Sequence, residues 1–437
     1  MYIYFTMRVQ LNLATVKIET DLFSKGANMA ELIKDQTTDK FKLYPYRWVV
    51  LAVFMLVNIA IQLLWISYAP VSSLATAYFG VSDSQIALLA MIFMIAFIPL
   101  SLPIAWAIDT WGFKKAVSLG AVMMAVFALA RGLVGQNFTL VLLATIGLGI
   151  AQPFFMNSWT KLPALWFGPK ERATAVGLVT LANLIGTGLG LVLTPILIES
   201  MDLGRIQTIY GIFAAVSAAL FLVLAREKPA TPPGGEQEGV RSLMLDGLKH
   251  ALSIPNFWLY LFVMFVGMGI FNGVTTWVEG IIRPRGFGPT DAGLVGALML
   301  VGGVLGAVII PALSDKAQKR VPYLLLGFAL CIPGLVGVIY AQSKGLLFIS
   351  SFWLGVFLVG ASPVGMQYAA EATRPTPEGT SAGIIQLFGQ ASVVFVSIMG
   401  ALRDKSGAFT PGLLLAVGLM IVSVFVISRL REAKASV

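Results

Sequence analysis

PIAWAIDTWGFKK, residues 103–115, sets an aspartate, Asp109, and two lysines, Lys114 and Lys115, directly after about twenty apolar residues. A run of that length matches what an α-helix needs to cross a bilayer, so the charges mark the point where the chain leaves it. The device recurs. A shift of 206 residues carries Asp109 onto Asp315 of ALSDKAQKR (312–320), Pro169 onto Pro375, Thr174 onto Thr380 and Gly177 onto Gly383. Such a shift predicts a chain built as two related halves.

Composition agrees with a membrane solvent. Of 437 residues, 57% are hydrophobic and 12% charged, against about 25% charged in a soluble domain. Twelve apolar stretches can be marked, at 48–68, 84–108, 115–135, 138–160, 173–198, 206–225, 257–281, 291–313, 322–341, 346–369, 380–402 and 409–428. Their lengths predict membrane helices, since barrel strands would be about ten residues and alternating. The expected fold is an all-α membrane protein of twelve transmembrane helices in two pseudosymmetric six-helix bundles. Its expected parts are an N-terminal segment (1–45), a first bundle (46–225), a Pro- and Gly-rich linker (226–254), a second bundle (255–430) and a tail (431–437).

Orientation follows from lysine and arginine near the span ends. With both termini cytoplasmic, residues from 31 onward place 20 basic residues inside and seven outside, namely Arg131, Arg205, Arg283, Arg285, Lys344, Arg403 and Lys405. Anionic headgroups on the inner leaflet then account for the net charge of +9 without nucleic acid. The first 40 residues lack the apolar core and cleavage site of a signal peptide. They read as a cytosolic tail in a multi-pass protein of the cell membrane. Met29 would make an ordinary start, with residues 1–28 an extension. Cys331 lies in an apolar span and His250 in the linker, so neither a disulfide framework nor a metal site is expected. No cofactor is implied. Nucleophile, base and metal-ligand constellations are missing, which argues against an enzyme. A receptor on a transporter scaffold would usually bring a soluble domain, and the linker is too short for one.

The loop AWAIDTWGFKK resembles the segment between helices 2 and 3 of the major facilitator superfamily, usually Gly-x-x-x-Asp-Arg-x-Gly-Arg-Lys. Asp109, Gly112 and Lys114 keep that pattern, while Ala105, Thr110 and Phe113 depart from it. The resemblance implies alternating access around a site between the halves, with Asp109, Gly112, Lys114 and Asp315 as a conformational latch. The family's helix 4 arginine is replaced within LLATIGLG (142–149), which makes proton-driven export less expected.

Four further segments resemble the FLVCR-type branch, associated with choline, ethanolamine and heme. They are WISYAP (65–70), AFIPLSLPIAWAIDTWGF (96–113), WFGPKERATA (166–175) and EATRPTPEGTSAG (371–383). The resemblance implies a small organic solute, an amine such as choline or ethanolamine, moved by facilitated diffusion or exchange by a uniporter acting as a monomer. An organic anion such as a carboxylate and heme or porphyrin export are the alternatives. Residue by residue, the branch's helix 1 tryptophan matches Trp65 and its helix 11 glutamine Gln390. Its helix 5 glutamine falls on Leu184 beside Asn183, and its helix 7 tyrosine on Asn272 after Phe271.

Read without the resemblance, Trp65 is either an interfacial-belt residue or a ring for an ammonium. Gln386 and Gln390, four apart, share one helical face. Asn58, Gln62, Gln152, Asn157, Asn183, Asn272 and Gln367 are polar residues in spans that either glue helices or line a cavity. Glu279 is a carboxylate inside an apolar span with Arg283 four residues on. It is expected either to pair with Arg283 at the outer interface or to serve as a gate or coupling group. Lys161 and Arg131 read as snorkelling side chains. The glycine-rich runs at 177–195 and 293–311 lack a following lysine and read as packing surfaces, not phosphate loops.

Overall fold

The computed structural model describes residues 43–229, 240–376, 378–403 and 407–432. Expectations for residues 1–42, Lys405 and the tail beyond Glu432 lie outside them. Twelve helices are long and apolar enough to span a membrane, because a backbone in lipid must satisfy its own hydrogen bonds. They are α1 (Arg47–Phe79), α2 (Asp83–Trp111), α3 (Phe113–Leu133), α4 (Phe138–Trp166), α5 (Thr174–Leu197) and α6 (Leu203–Leu224) in the first half. The second half holds α7 (Pro255–Thr276), α8 (Pro289–Ala317), α9 (Val321–Tyr340), α10 (Lys344–Ala372), α11 (Thr380–Ala401) and α12 (Thr410–Ser428). No strand occurs among the described residues.

Starts follow local chemistry. Ser82 and Gln85 form a capping box before α2, and the side chains of Asn137, Asp202 and Ser343 accept backbone N–H groups at the starts of α4, α6 and α10. Pro255 and Pro289 occupy the first helical turn, where a missing N–H costs nothing.

Five spans are interrupted, α11 at Ser392 and the other four in positions that the repeat relates. α1 breaks after Ile66 into a short 3-10 turn at Ala69–Val71 and a second helix, Ser72–Phe79, because Pro70 has no N–H to continue the ladder. α7 breaks at Trp277 and continues as Val278–Ile282. α4 and α10 break after Met156 and Leu358. Unequal ends of apolar runs mark none of these interruptions, so they were not foreseen.

The glycine-rich faces are close contacts. Gly186 and Gly190 of α5 lie on the α1 backbone at Ile59 and Leu63, and Gly302 and Gly306 of α8 lie on the α10 backbone at Phe352 and Val356. A side chain at any of the four would push the helices apart.

We call the end where α1 begins and α12 ends the linker end, and the opposite one the far end. Exposed Trp48, Trp106, Trp111 and Trp258 all sit toward the linker end, as an interfacial aromatic belt would. The linker contains an amphipathic helix, Val240–Ser253. It is docked on residues 374–376, where Thr376 Oγ1 donates to Gly247 O and His250 Nε2 lies 3.2 Å from Arg374 O.

The halves meet at the far end. There Gly293 and Gly296 of α8 pack on Leu191 of α5, and ion pairs cross between halves. At the linker end every ion pair among the described residues stays within one half. Gly177 and Gly383, a repeat pair, both face open space there. This is a linker-end-open, far-end-closed arrangement.

Candidate functional site

The far-end closure is built on two carboxylates. Glu279, 1% exposed, accepts Ser72 Oγ–H at 2.8 Å, the Ser73 backbone N–H at 2.8 Å and a short hydrogen bond from Ser73 Oγ. The broken tip of α1 is what brings those donors to α7. The expected ion pair with Arg283 is not made. Arg283 turns away to Asp83 at the start of α2, 2.9 Å distant, and Arg403 reaches the same carboxylate oxygen at 3.0 Å. Arg403 is held for that role, its guanidinium carbon 4.5 Å from the ring centroids of both Trp277 and Phe409. Uncovering a buried carboxylate without a replacement costs about 3–5 kcal/mol, so these contacts weigh toward the closed far end.

At the linker end the latch residues separate into two devices. Asp109 pairs with Lys161 of α4 at 2.6 Å, so Lys161 is a partner and not a snorkelling side chain. Lys114 contributes its backbone: its N–H and that of Phe113 both donate at 2.7 Å to Glu227, just beyond α6. The carboxylate thereby caps the α3 N-terminus. Gly112 makes the room. Its φ is 91°, and a Cβ there would stand 2.6 Å from Glu227 Oε1. In the second half, Gln318, the repeat mate of Gly112, is the one non-glycine of positive φ among the described residues. Glu432, beyond α12, accepts the N–H groups of Arg320 at 3.0 Å and Val321 at 2.9 Å. Asp315 pairs with Arg320, which also holds Glu371 of α10 at 3.1 Å. Burial alone would lower the Arg320 guanidinium, but its hydrogen bonds and charge interactions with Glu371 and Asp315 raise it above its ordinary value.

Trp65 is the last residue but one of the long helical segment of α1 and is 8% exposed, so it is not a belt residue. Its Nε1–H donates to Ala90 O of α2 at 3.1 Å, which fixes the ring. Gln390 is 7% exposed and makes no hydrogen bond with any described residue. It lies on the first segment of α11, which packs against α2. Gln386, one turn earlier, is only partly buried. Asn272 donates to Ser392 Oγ at 3.2 Å, tying α7 to α11, and Phe271 beside it is partly buried against the core.

In the first half the spans' amides meet one another. Asn58 Oδ1 accepts Trp159 Nε1–H at 2.9 Å and Asn183 Nδ2–H at 3.4 Å, and Gln152 donates to Gln62 at 3.3 Å. Asn183 and Gln152 thus join α1 to α5 and α4, while each keeps one buried oxygen unpartnered. Leu184, the position after Asn183, is half-buried on a different face.

Arg131 overturns its snorkelling assignment. It is 1% exposed, and its guanidinium donates twice to Leu64 O at 3.0 Å, to Ser67 Oγ at 3.2 Å and to Gln207 Oε1 at 2.6 Å. The carbonyl left over by the α1 break supplies the reason: a fork of donors satisfies what the interrupted ladder does not. Sequence reasoning missed Ser72, Ser73, Asp83, Arg403, Glu227, Glu432, Arg320 and Glu371. Only the last pair carried a signal, Arg320 ending the second of the repeated loops and Glu371 beginning the 371–383 string.

The Major Facilitator Superfamily profile matches residues 51–397. A choline/ethanolamine transporter of Danio rerio is 27% identical over 419 residues, covering 90% of this chain and 89% of its own. One of Homo sapiens is 25% identical over 414 residues, covering 89% and 79%. Solute carrier family 49 member A3 of Danio rerio is 29% identical, covering 84% and 81%. Among solved structures, a bacterial homologue of the human lysosomal transporter Spinster, inward-facing and unoccupied, superposes with a TM-score of 0.70. It is 16% identical and covers 90% of this chain and 100% of its own.

Proposed function

The chain belongs to the major facilitator superfamily, and from that membership we propose that it carries a small organic amine, of the choline or ethanolamine kind, by alternating access. The observation that carries this reading is Gln390, 7% exposed, whose amide pairs with no described residue yet is not sealed from solvent as the unpartnered oxygens of Gln152 and Asn183 are, on a helix packed against α2, where Trp65 is tethered. An amide that solvent reaches and no protein group holds keeps its donors and acceptor free for a ligand. A hydroxyl or N–H group of the solute supplies that pairing, and the Trp65 face attracts its positive charge. The linker end is cytoplasmic, as the excess of basic residues there supports, so the state described is inward-open.

An anionic substrate fits less well. The buried cation within the spans, Arg131, is consumed by α1 and α6 of its own half. No enzymatic step is invoked. Transport is facilitated diffusion or exchange by a monomer in the cell membrane, with no nucleic-acid partner, and Asp109 and Asp315 act as latches outside the substrate's contacts.

The test is sided uptake of radiolabelled choline and ethanolamine by purified protein in proteoliposomes. Trp65→Ala and Gln390→Ala should each raise KM about five- to tenfold, the equivalent of about 1 kcal/mol per lost cation–π contact or hydrogen bond. Unaltered KM in both variants, or thermal stabilisation by carboxylates alone, would overturn the amine reading.

A further inference from the structure

Between the far-end closure and Trp65 lies a small cavity, with room for about one water molecule. It is lined by Tyr68 and Ser72 of α1, Asp83 and Ala90 of α2, and Thr276 and Trp277 of α7, among others. Ala90 is the residue whose carbonyl tethers Trp65. The cavity therefore runs along one face of α2 from Asp83 to Ala90, the residue that holds the Trp65 ring. Two of its hydroxyls, Tyr68 Oη and Thr276 Oγ1, are buried without a hydrogen-bond partner, on residues 3% and 2% exposed.

Opening the far end changes the charges around this cavity unequally. Arg283 and Arg403 belong to the second half and Asp83 to the first, so separation strips Asp83 of both guanidinium groups. Glu279 and Arg283 lose their first-half partners at the same moment. They stand one turn apart on the same half, the spacing at which opposite charges meet on a helix, and can compensate each other. Arg403 keeps its place between Trp277 and Phe409. The carboxylate left without a partner is Asp83, and beside it on the same half are Tyr68 and Ser72.

We propose that Asp83 and the Tyr68 hydroxyl form a second, far-side binding site for a small hydroxylated organic cation, occupied in the far-open state before the solute reaches Trp65. Asp83 supplies the counter-charge and Tyr68 a hydrogen bond to the solute's hydroxyl. When the halves close again, Arg283 and Arg403 reclaim Asp83 and displace the cation toward the centre. The site rests on the amine reading above.

Competition for sided uptake tests it, with choline and its neutral carbon isostere 3,3-dimethyl-1-butanol as far-side inhibitors of labelled choline. Weakening the gate changes the apparent affinity of both inhibitors by the same factor, whereas loss of a counter-charge acts on choline alone. Asp83→Asn should cut the choline-over-isostere preference about tenfold from the far side and leave it unchanged from the linker side. Arg283→Gln, which breaks the same gate pair but keeps the carboxylate, should leave the preference intact. Tyr68→Phe should weaken both inhibitors together. An unchanged preference in Asp83→Asn, or an equal loss in Arg283→Gln, overturns the far-side site while wild-type choline uptake leaves the amine reading standing. Failure of the wild type to move either ammonium overturns both.

Discussion

Replacing Gly112 with alanine should cost about 4 kcal/mol of stability, and the sum has two separable parts. The backbone at φ 91° and ψ 160° lies where residues with a Cβ are strained by about 1–3 kcal/mol, so about 2 is assigned to strain. The new Cβ would sit 2.6 Å from Glu227 Oε1 and 2.8 Å from its Cδ, which expels the carboxylate from the α3 N-terminus. Two hydrogen bonds of 2.7 Å then go. A half-exposed carboxylate at a helix N-terminus with such bonds is worth about 2 kcal/mol. Glu227→Ala alone should therefore cost about 2 kcal/mol. The double variant should cost about 4 and not 6, because the alanine has already removed what the second change would remove. Equilibrium unfolding in mixed micelles, followed by tryptophan fluorescence, gives the three values and a coupling of about 2 kcal/mol. Additive costs within about 0.5 kcal/mol would refute the clash and leave Gly112 explained by backbone strain alone.

Two further outcomes follow from charged side chains. Arg131→Met should destabilise by about 2–4 kcal/mol in the same assay, because Leu64 O and Gln207 Oε1 lose their donors inside the bundle. A change below about 0.5 kcal/mol would mean the guanidinium does sit at the membrane surface. Asp109→Asn removes a pair between half-exposed side chains, worth at most about 1 kcal/mol. It should leave stability nearly unchanged and, because the pair is present with the linker end open, lower thiol labelling at Gly177→Cys, which faces that end, by up to about fivefold. Cys331 is fully buried and gives a silent background. Unaltered labelling would remove Asp109 from the conformational balance.

Much of the architecture was written in runs and repeats. Apolar length sufficed for twelve spans, and Asp109 with Asp315 located the same turn in both halves. Gly112 and Gln318 then show how a repeat survives change: the chain keeps a positive φ at both positions, with ψ 160° at Gly112 and 35° at Gln318, although only one is the residue that adopts a positive φ freely. Trp65, Gln386 and Gln390 were visible because polar or aromatic residues stand out in apolar runs. Partner choice was not visible. Spacing suggested that Glu279 would take Arg283, yet the break in α1 offers Glu279 three donors more than 200 residues away in sequence. Asp83 is free to bind two arginines for the same reason. Arg131 was misread because its position near a span end is compatible with either water or a broken helix, and the break itself depends on Pro70 and distant packing.

The carboxylates Glu227 and Glu432 carry a mechanical implication. Each lies where the chain leaves a six-helix half, and each is fastened to the third helix of that same half. The two halves are thus each closed on themselves like a strap buckled to its own bag. A pull transmitted through the linker reaches α3 as well as α6 and moves the whole bundle before it can unwind either helix. The connection sets how concentrated one half is around the other, and the shape of each half is settled without it.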